Sequence, residues 1–237
     1  MRTYVLVHGG GHGGWCYQKV AGLLRANGHD VYTPTLTGLG ERRHLLSPHV
    51  DLEMHIADIV GVLTYEDLHE LILVGHSYGG MVITGVADRA ADRIGELVYL
   101  DAAHPRSGES LADVAVSIMA ICKSWVREVD GVEQVMWPDT LNPEFFGVTD
   151  PGDVAWVRSR LQPHPWKCYT QKLELKDEAA VRRLPRTDIN CSARVREFDE
   201  RRAAELREAR RAWEIDTGHD LMITEPQKVA QMLLHLA

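Results

Sequence analysis

Short apolar runs alternate along this chain with longer segments in which apolar residues recur at helical spacing. Several runs are continuous and rich in β-branched residues, which is typical of strands buried on both faces of a sheet. The predicted strands are Tyr4–Val7, Asp30–Thr33, Leu71–Val74, Leu97–Leu100, Thr187–Cys191 and Trp213–Ile215. The predicted helices are Trp15–Ala26, Leu52–Thr64, Gly79–Arg89, Asp199–Ala212 and Pro226–Leu236, with Asp51 as an N-cap and Gly28 as a helix stop. This alternation predicts an α/β fold with a mostly parallel, doubly wound sheet flanked by helices.

The alternation breaks down between His104 and about Pro185. No clear strand is predicted there, and the segment is divided into short helical pieces by Pro138, Pro143, Pro151, Pro163 and Pro165. Few residues join it to the rest of the chain at either side. We therefore predict a helical lid insertion over residues 104–185, lying on a core formed by residues 1–103 and 186–237.

Composition and charge narrow the class of protein. The chain has 237 residues, of which 45% are hydrophobic, so intrinsic disorder is excluded. It carries 26 Lys and Arg against 34 Asp and Glu, and this net charge of −8 argues against a nucleic-acid partner. The stretch Arg194–Arg211 interleaves its arginines with acidic residues and has apolar residues at helical spacing (Ala203, Leu206, Ala209, Trp213). It predicts a solvated amphipathic helix and not a phosphate-binding patch.

Targeting and cofactor motifs are not evident in the sequence. No run of 18 apolar residues predicts a membrane span, and the first residues lack the pattern of a secretory signal, so we expect a cytoplasmic protein without a membrane partner. The four cysteines are scattered without a Cys-x-x-Cys pair and are predicted to be reduced and partly buried. No metal, nucleotide or flavin motif is present, so no cofactor is expected. A homodimer is left open, because no sequence feature argues for one.

The motif with the most chemical content is Gly75-His76-Ser77-Tyr78-Gly79. An apolar strand runs into it and an apolar-periodic helix runs out of it, which is the setting of a nucleophile elbow. In such an elbow the serine occupies a sharp, strained turn, and the flanking glycines avoid steric clashes. The sequence therefore predicts Ser77 as a nucleophile.

A serine nucleophile requires a base within reach. His219 lies in a predicted turn between the last strand and the last helix, which places it at the same carboxyl edge of the sheet as Ser77. His76 is expected to fill space in the elbow, and His235 lies on the final helix. We therefore predict His219 as the general base.

A glycine-rich loop, His8-Gly9-Gly10-Gly11-His12-Gly13-Gly14-Trp15, follows the first predicted strand. A backbone N–H of this loop and that of Tyr78 together would form an oxyanion hole. The glycine spacing departs from Gly-x-Gly-x-x-Gly, and no acidic residue follows a second strand about 20 residues later, so a dinucleotide loop is rejected.

The glycine loop, the Gly75–Gly80 elbow and the Thr217–Asp220 turn together resemble the α/β-hydrolase superfamily. Within it, the chain is similar to the branch that holds plant methyl-ester esterases, plant hydroxynitrile lyases and small bacterial esterases, including pyrethroid- and carbendazim-hydrolysing enzymes. The resemblance spans nearly the whole chain. It implies an α/β-hydrolase fold and assigns the two oxyanion donors to Gly10 and Tyr78.

Two positions distinguish the members of this branch. The lyases have a threonine directly after the first loop histidine and a lysine directly after the catalytic histidine, whereas this chain has Gly9 and Asp220. Without that cation, stabilisation of a cyanide leaving group is implausible. The resemblance therefore implies a hydrolase.

The acidic residue that would orient His219, and so complete a Ser-His-Asp triad, is the main departure from the family pattern. The family commonly takes it just after the strand that corresponds to Thr187–Cys191, where this chain has Ser192, Ala193 and Arg194. Asp101 ends the strand next to the nucleophile strand, and some superfamily members, such as certain haloalkane dehalogenases, resemble that arrangement. Asp199 is the alternative, although it also suits a helix N-cap. We favour Asp101.

Aromatic and methionine residues are concentrated in the predicted insertion, and some of them must form its own small core. We expect a subset to face Ser77 and to bind a small, apolar or aromatic ester or carbamate, with Trp137, Phe146 and Trp166 as the candidates. The alternatives are a non-hydrolytic lyase or cyclase on the same scaffold and a ligand-binding protein that has lost the chemistry.

Overall fold

The structure is a computed structural model that describes residues 1–136 and 142–236. Its strands in chain order are β1 (Thr3–Val7), β2 (Asp30–Tyr32), β3 (Leu71–His76), β4 (Ile94–Leu100), β5 (Val126–Val129), β6 (Val132–Val135), β7 (His164–Pro165), β8 (Arg186–Cys191) and β9 (Arg211–Ile215). Six of them form one parallel sheet in the order β2-β1-β3-β4-β8-β9. The other three form a small antiparallel sheet.

Helices account for most of the remaining regular structure. In chain order they are α1 (Gln18–Ala26), α2 (Leu52–Tyr65), α3 (Gly79–Arg89), α4 (Leu111–Val114), α5 (Val116–Ser124), α6 (Pro151–Arg158), α7 (Lys167–Thr170), α8 (Glu178–Arg183), α9 (Ser192–Val195), α10 (Glu200–Glu208), α11 (Leu221–Thr224) and α12 (Pro226–Leu234). Short 3₁₀ helices occupy Gly14–Tyr17, Gly40–Leu45, Ala91–Arg93 and Pro143–Phe146.

The strand order places helices on both faces of the large sheet. The connection from β1 to β2 moves one way across the sheet, and the connection from β2 to β3 moves back past β1. Because parallel crossovers are right-handed, α1 and α2 must lie on opposite faces. All six residues of β3 are buried, as expected for a strand covered on both sides. The predicted fold class, a mostly parallel sheet flanked by helices, is confirmed.

The prediction that residues 104–185 contain no clear strand is wrong. Strands β5 and β6 form an antiparallel hairpin in this segment, and β7 pairs with β6. The hairpin turns at Asp130 and Gly131, which have φ values of 53° and 75°. An Asp-Gly turn with two positive φ angles matches the right-handed twist of paired strands, so two short, half-exposed segments pair there despite their polar composition.

The long helix predicted over Asp199–Ala212 is also corrected. Helix α10 ends at Glu208, and strand β9 begins at Arg211 because residues from there on pair with β8. Trp213 therefore belongs to a strand and not to the helical stripe. Asp51 caps α2 as predicted, accepting the N–H of Met54 at 3.1 Å.

All four cysteines are buried and unpaired, in agreement with the prediction that they are reduced. Within residues 1–136 and 142–236, no helix has the length and apolarity that a membrane crossing requires.

Candidate active site

Ser77 lies in the sharp turn between β3 and α3. Its φ is 53°, a left-handed conformation that is costly for a residue with a side chain. The turn is tight, since a Cβ on Gly75 would lie 2.6 Å from the carbonyl oxygen of Gly79, and one on Gly79 would lie 2.7 Å from that of Val7. The N–H of Ala103 donates to the Ser77 carbonyl at 3.0 Å, which helps to hold the strained backbone.

The structure brings Asp101 and His219 together. Asp101 follows β4, with a φ of 45°, and its Oδ2 lies 2.5 Å from Nδ1 of His219. Because an ionised carboxylate only accepts hydrogen bonds, this contact places a proton on Nδ1 and leaves Nε2 as the basic nitrogen. Asp101 is 1% exposed and His219 is 19% exposed, so the acid is sealed behind a base that solvent can reach.

The charge on Asp101 is maintained by its neighbours. Burial acts to raise the pKa of this carboxyl, but the hydrogen bond and charge of His219, the charge of Arg194 and the N–H of Cys191 together hold the pKa well below its usual range. The Cys191 N–H donates to Asp101 Oδ1 at 3.2 Å. Asp101 therefore lies beside His219 as an anion.

Asp199, the alternative acid, has a different position. It precedes α10 and accepts the N–H of Arg202 at 2.7 Å, which makes it an N-cap. Of the two candidate acids, Asp101 is therefore the one that contacts the candidate base.

Arg194 was not predicted as part of this site. Its Nη1 lies 3.4 Å from Asp101 Oδ2 and 3.5 Å from His219 Nδ1. The side chain belongs to α9, at the chain position where the family pattern places the acid. A cation here favours the ionised form of Asp101.

Hydrogen bonds to the Gly9 carbonyl oxygen fix the orientation of the peptide between Gly9 and Gly10. Gly9 O accepts from His8 Nδ1 at 2.8 Å and from the His12 N–H at 3.4 Å. The C=O and N–H of a trans peptide point in opposite directions, so the Gly10 N–H points away from these partners. Within the described residues, neither the Gly10 N–H nor the Tyr78 N–H has a hydrogen-bond partner. These are the two groups that the family resemblance implies as oxyanion donors.

The glycine loop lies directly against the elbow. A Cβ on Gly9 would lie 2.9 Å from the Cβ of Ser77 and 2.8 Å from Nδ1 of His76. A Cβ on Gly10 would overlap the hydroxyl of Tyr169. Only glycine therefore lets the backbone of this loop approach the serine so closely.

The candidate substrate residues have three different outcomes. Phe146 is buried, and its ring centroid lies 6.1 Å from that of His219. The ring of Trp166 lies 6.0 Å from that of Tyr169, which in turn contacts Gly10, so Trp166 is one layer further from the loop. Trp137 lies outside the described residues.

The 104–185 segment also contacts the backbone of the loop that carries His219. The Asp220 N–H donates to the carbonyl of Phe146 at 3.0 Å. Gly147 packs against Gly218 so closely that a Cβ on either would overlap the other. Gly147 has a φ of 83°, so glycine is also favoured there by its backbone conformation.

A buried cluster behind Tyr78 has the residue types of a metal site. The ligand atoms of His55, His164 and Cys168 all lie within 4.8 Å of one another. However, His55 Nε2 donates to the Thr37 carbonyl while its Nδ1 accepts from the Tyr78 hydroxyl. His164 Nδ1 accepts the Gly11 N–H, so its other nitrogen carries the proton. Neither imidazole has a free lone pair, and the cluster fits hydrogen-bonded packing better than a metal centre.

Comparison with known proteins identifies the family of this chain. A family model described as the alpha/beta hydrolase family matches residues 4–232. A carbendazim hydrolyzing esterase from Nocardioides sp. (strain SG-4G) is 40% identical over 250 residues, covering 100% of both chains. Methylesterase 18 from Arabidopsis thaliana is 25% identical and covers 99% of this chain and 96% of its own length.

A solved structure is also similar over nearly its whole length. It is an extracellular alpha/beta-hydrolase from a Paenibacillus species, with a TM-score of 0.82, 26% identity and coverage of 99% of this chain and 98% of that chain. The sequence and structure matches together confirm the predicted resemblance. This chain belongs to the alpha/beta hydrolase family.

Proposed function

We propose that this chain is a serine esterase that cleaves a small carboxylic or carbamate ester through Ser77, His219 and Asp101. The observation that carries the proposal is the 2.5 Å hydrogen bond between Asp101 and His219, at the sheet edge where Ser77 occupies its strained turn. Esterases among the relatives support the same reaction class.

In the proposed reaction, Ser77 Oγ attacks the carbonyl carbon of the ester while His219 Nε2 takes the hydroxyl proton. Asp101 keeps the imidazole in the required tautomer. The Gly10 and Tyr78 N–H groups donate to the developing oxyanion, and each such donor is worth about 100- to 1000-fold in rate. The alcohol leaves with the proton from His219, and a water molecule then hydrolyses the acyl-enzyme by the same path.

The proposed substrate is compact, uncharged and apolar or aromatic. Phe146 lies beside the base with its ring buried, and Trp166 lies behind Tyr169 near the glycine loop. The 104–185 segment would act as the lid that carries these side chains. The relative that is named for carbendazim hydrolysis extends the proposal to carbamate esters.

The test is active-site labelling followed by a substrate panel. We expect a fluorophosphonate to label the wild-type chain once, at Ser77, and expect turnover of p-nitrophenyl, methyl and methyl-carbamate esters. Ser77→Ala should fold normally and lose both labelling and turnover, whereas Ser117→Ala, at an exposed serine of α5, should keep both. Labelling at another residue, or turnover by Ser77→Ala near the wild-type rate, would contradict the assignment. A labelled enzyme that turns over none of the panel would favour a non-hydrolytic reaction instead.

A further inference from the structure

A buried histidine–aspartate pair lies behind the candidate active site. His12 is in the glycine loop, and Asp220 directly follows His219 in sequence. His12 Nε2 lies 3.2 Å from Asp220 Oδ2, and the two side chains are 2% and 0% exposed. The His12 ring is stacked on Trp15, with 5.3 Å between ring centroids.

Both nitrogens of His12 face acceptors. Its Nδ1 lies 2.8 Å from the carbonyl oxygen of Gly10, and its Nε2 faces the Asp220 carboxylate. A carbonyl and an ionised carboxylate cannot donate, so both ring nitrogens must carry a proton. His12 is therefore an imidazolium, and the pair is a buried ion pair.

The electrostatic environment favours the same protonation states. Burial acts to lower the pKa of His12, but the charge and hydrogen bond of Asp220 outweigh it and raise the pKa above its usual value. Burial acts to raise the pKa of Asp220, and His12, His76 and His219 together lower it. Each partner keeps the other charged.

The pair joins the parts of the site that have to be aligned. Through Gly10 O it holds one end of the Gly10–Gly11 peptide, and His164 Nδ1 holds the other end by accepting the Gly11 N–H at 3.2 Å. Asp220 connects His12 to the loop that carries His219, because it is the next residue in the chain. His76, next to Ser77, donates from Nε2 to the carbonyl of His219 at 3.0 Å, and this nitrogen lies 3.8 Å from Asp220 Oδ1.

The backbone of the loop needs such external support. Three successive glycines give it many accessible conformations, so it has no intrinsic preference for one orientation of the Gly10 N–H. A charged donor on the Gly10 carbonyl fixes the neighbouring peptide planes more strongly than a neutral one.

We propose that the His12–Asp220 ion pair positions the oxyanion hole, by fixing the Gly10 backbone relative to the loop that carries His219. The inference rests on the proposed esterase function for its kinetic consequence, but not for its structural one. His12 and Asp220 are positioning residues, because they act on the reacting atoms through Gly10 and His219.

The structural consequence is tested by NMR of the wild-type chain and Asp220→Asn. In protein with ¹⁵N-labelled histidine, we expect both ring nitrogens of His12 to show imidazolium shifts at pH 7.5. In Asp220→Asn we expect a neutral His12 ring and a shifted or broadened amide resonance of Gly10. A neutral His12 in the wild type, or a Gly10 amide that is unchanged in the variant, would overturn the proposal whether or not the chain hydrolyses esters.

The kinetic consequence is tested with His12→Gln, Asp220→Asn and the double variant. The Gly10 N–H donates to the oxyanion only in the transition state, so its misorientation weakens an interaction that the bound substrate does not make. We therefore expect kcat to fall by about 10- to 100-fold while KM changes little. Affinity for a trifluoromethyl ketone, which forms a tetrahedral adduct, should fall in proportion. The double variant should be no slower than the slower single variant, since both substitutions remove one interaction.

The matched control is Asp188→Asn, in a second buried His–Asp pair. His104 Nε2 lies 2.7 Å from Asp188 Oδ1, and neither residue belongs to the proposed site. This variant should lose stability but keep kcat. If Asp220→Asn behaves like Asp188→Asn, the pair only stabilises the fold and the proposal fails. A wild-type chain without Ser77 labelling would contradict the proposed function, and the NMR result would then decide this inference separately.

Discussion

Asp101, the proposed acid, shows how a single residue can depart from a family pattern. The resemblance places the acid after β8, whereas Asp101 follows the neighbouring strand β4. The Oδ1 of Asp101 accepts the N–H of Cys191, which is the last residue of β8. The carboxylate therefore lies beside the end of β8, although Asp101 itself follows β4. Arg194, which occupies the expected chain position, contacts this carboxylate.

At this scale the two candidate acids can be separated by one substitution each. Asp101→Asn keeps the size of the side chain but favours the wrong tautomer of His219, so kcat/KM should fall by about 10³- to 10⁴-fold. Asp199→Asn should stay within about twofold of wild type, because asparagine also caps helices well. Ester hydrolysis measured at pH 7.5, with fold checked by circular dichroism, gives the comparison. The reverse ranking would show that the assignment of the acid is wrong.

The residues around the acid and base were only partly predictable. Ser77, His219 and the glycine loop are identified by local motifs, and Asp101 by its place at a strand end. The partnership of His12 with Asp220 spans 208 positions, and no local pattern indicates such a contact. The histidines interleaved with the glycines at positions 8 and 12 are the one local signal that could have suggested it.

At the scale of elements, sequence patterns gave the parallel strands and missed the hairpin. The buried strands are continuous apolar runs, which leave little ambiguity about their type. Strands β5 and β6 are each four residues long and place two polar residues between two valines, so neither shows the period-two alternation or the continuous apolar run by which strands are recognised. The Asp130-Gly131 turn is itself a strong hairpin signal between two such segments, and it would have predicted them.

The approach of the glycine loop to the elbow gives a prediction at this scale. Gly9→Ala would place a methyl group 2.9 Å from the Cβ of Ser77, so either the loop or the serine must move. We expect kcat to fall at least tenfold while the chain still folds. Activity equal to wild type would mean that the loop does not constrain the elbow.

Gly22→Ala is the matched control. It lies in α1, where a new Cβ would meet nothing within 4 Å beyond the adjoining backbone of its own helix, and glycine is less favourable than alanine inside an exposed helix. This variant should gain up to about 1 kcal/mol of unfolding free energy and keep its activity.

For the whole molecule, buried histidines should set the dependence of stability on pH. Burial lowers the pKa of His8 and His76 from 6.5 to about 3, and that of His104 to about 4. Below about pH 6.5 these histidines are protonated in the unfolded chain but remain neutral in the folded chain. The free energy of unfolding should therefore fall as the pH drops towards 4. Each such histidine contributes up to about 1.4 kcal/mol per pH unit.

His12 has the opposite sign. Its folded pKa is raised, so its contribution is complete below about pH 6.5 and is lost as the pH rises through the folded value. Stability should therefore peak near neutral pH. Urea unfolding at pH 5, 6, 7 and 8 measures this, and a midpoint that does not change between pH 5 and 6.5 would contradict it. His104→Gln should reduce the slope on the acid side, whereas His49→Gln, at an exposed position, should not.

The contact between Gly147 and Gly218 connects the segment that carries Phe146 to the loop that carries His219. The backbone of the 104–185 segment is bonded to the residue next to the base, through Phe146 and Asp220. A displacement of the segment at Phe146 would therefore either break its hydrogen bond to the Asp220 N–H or move the backbone next to His219 with it. Access of a substrate at Phe146 and the position of the proposed base would in this way be coupled.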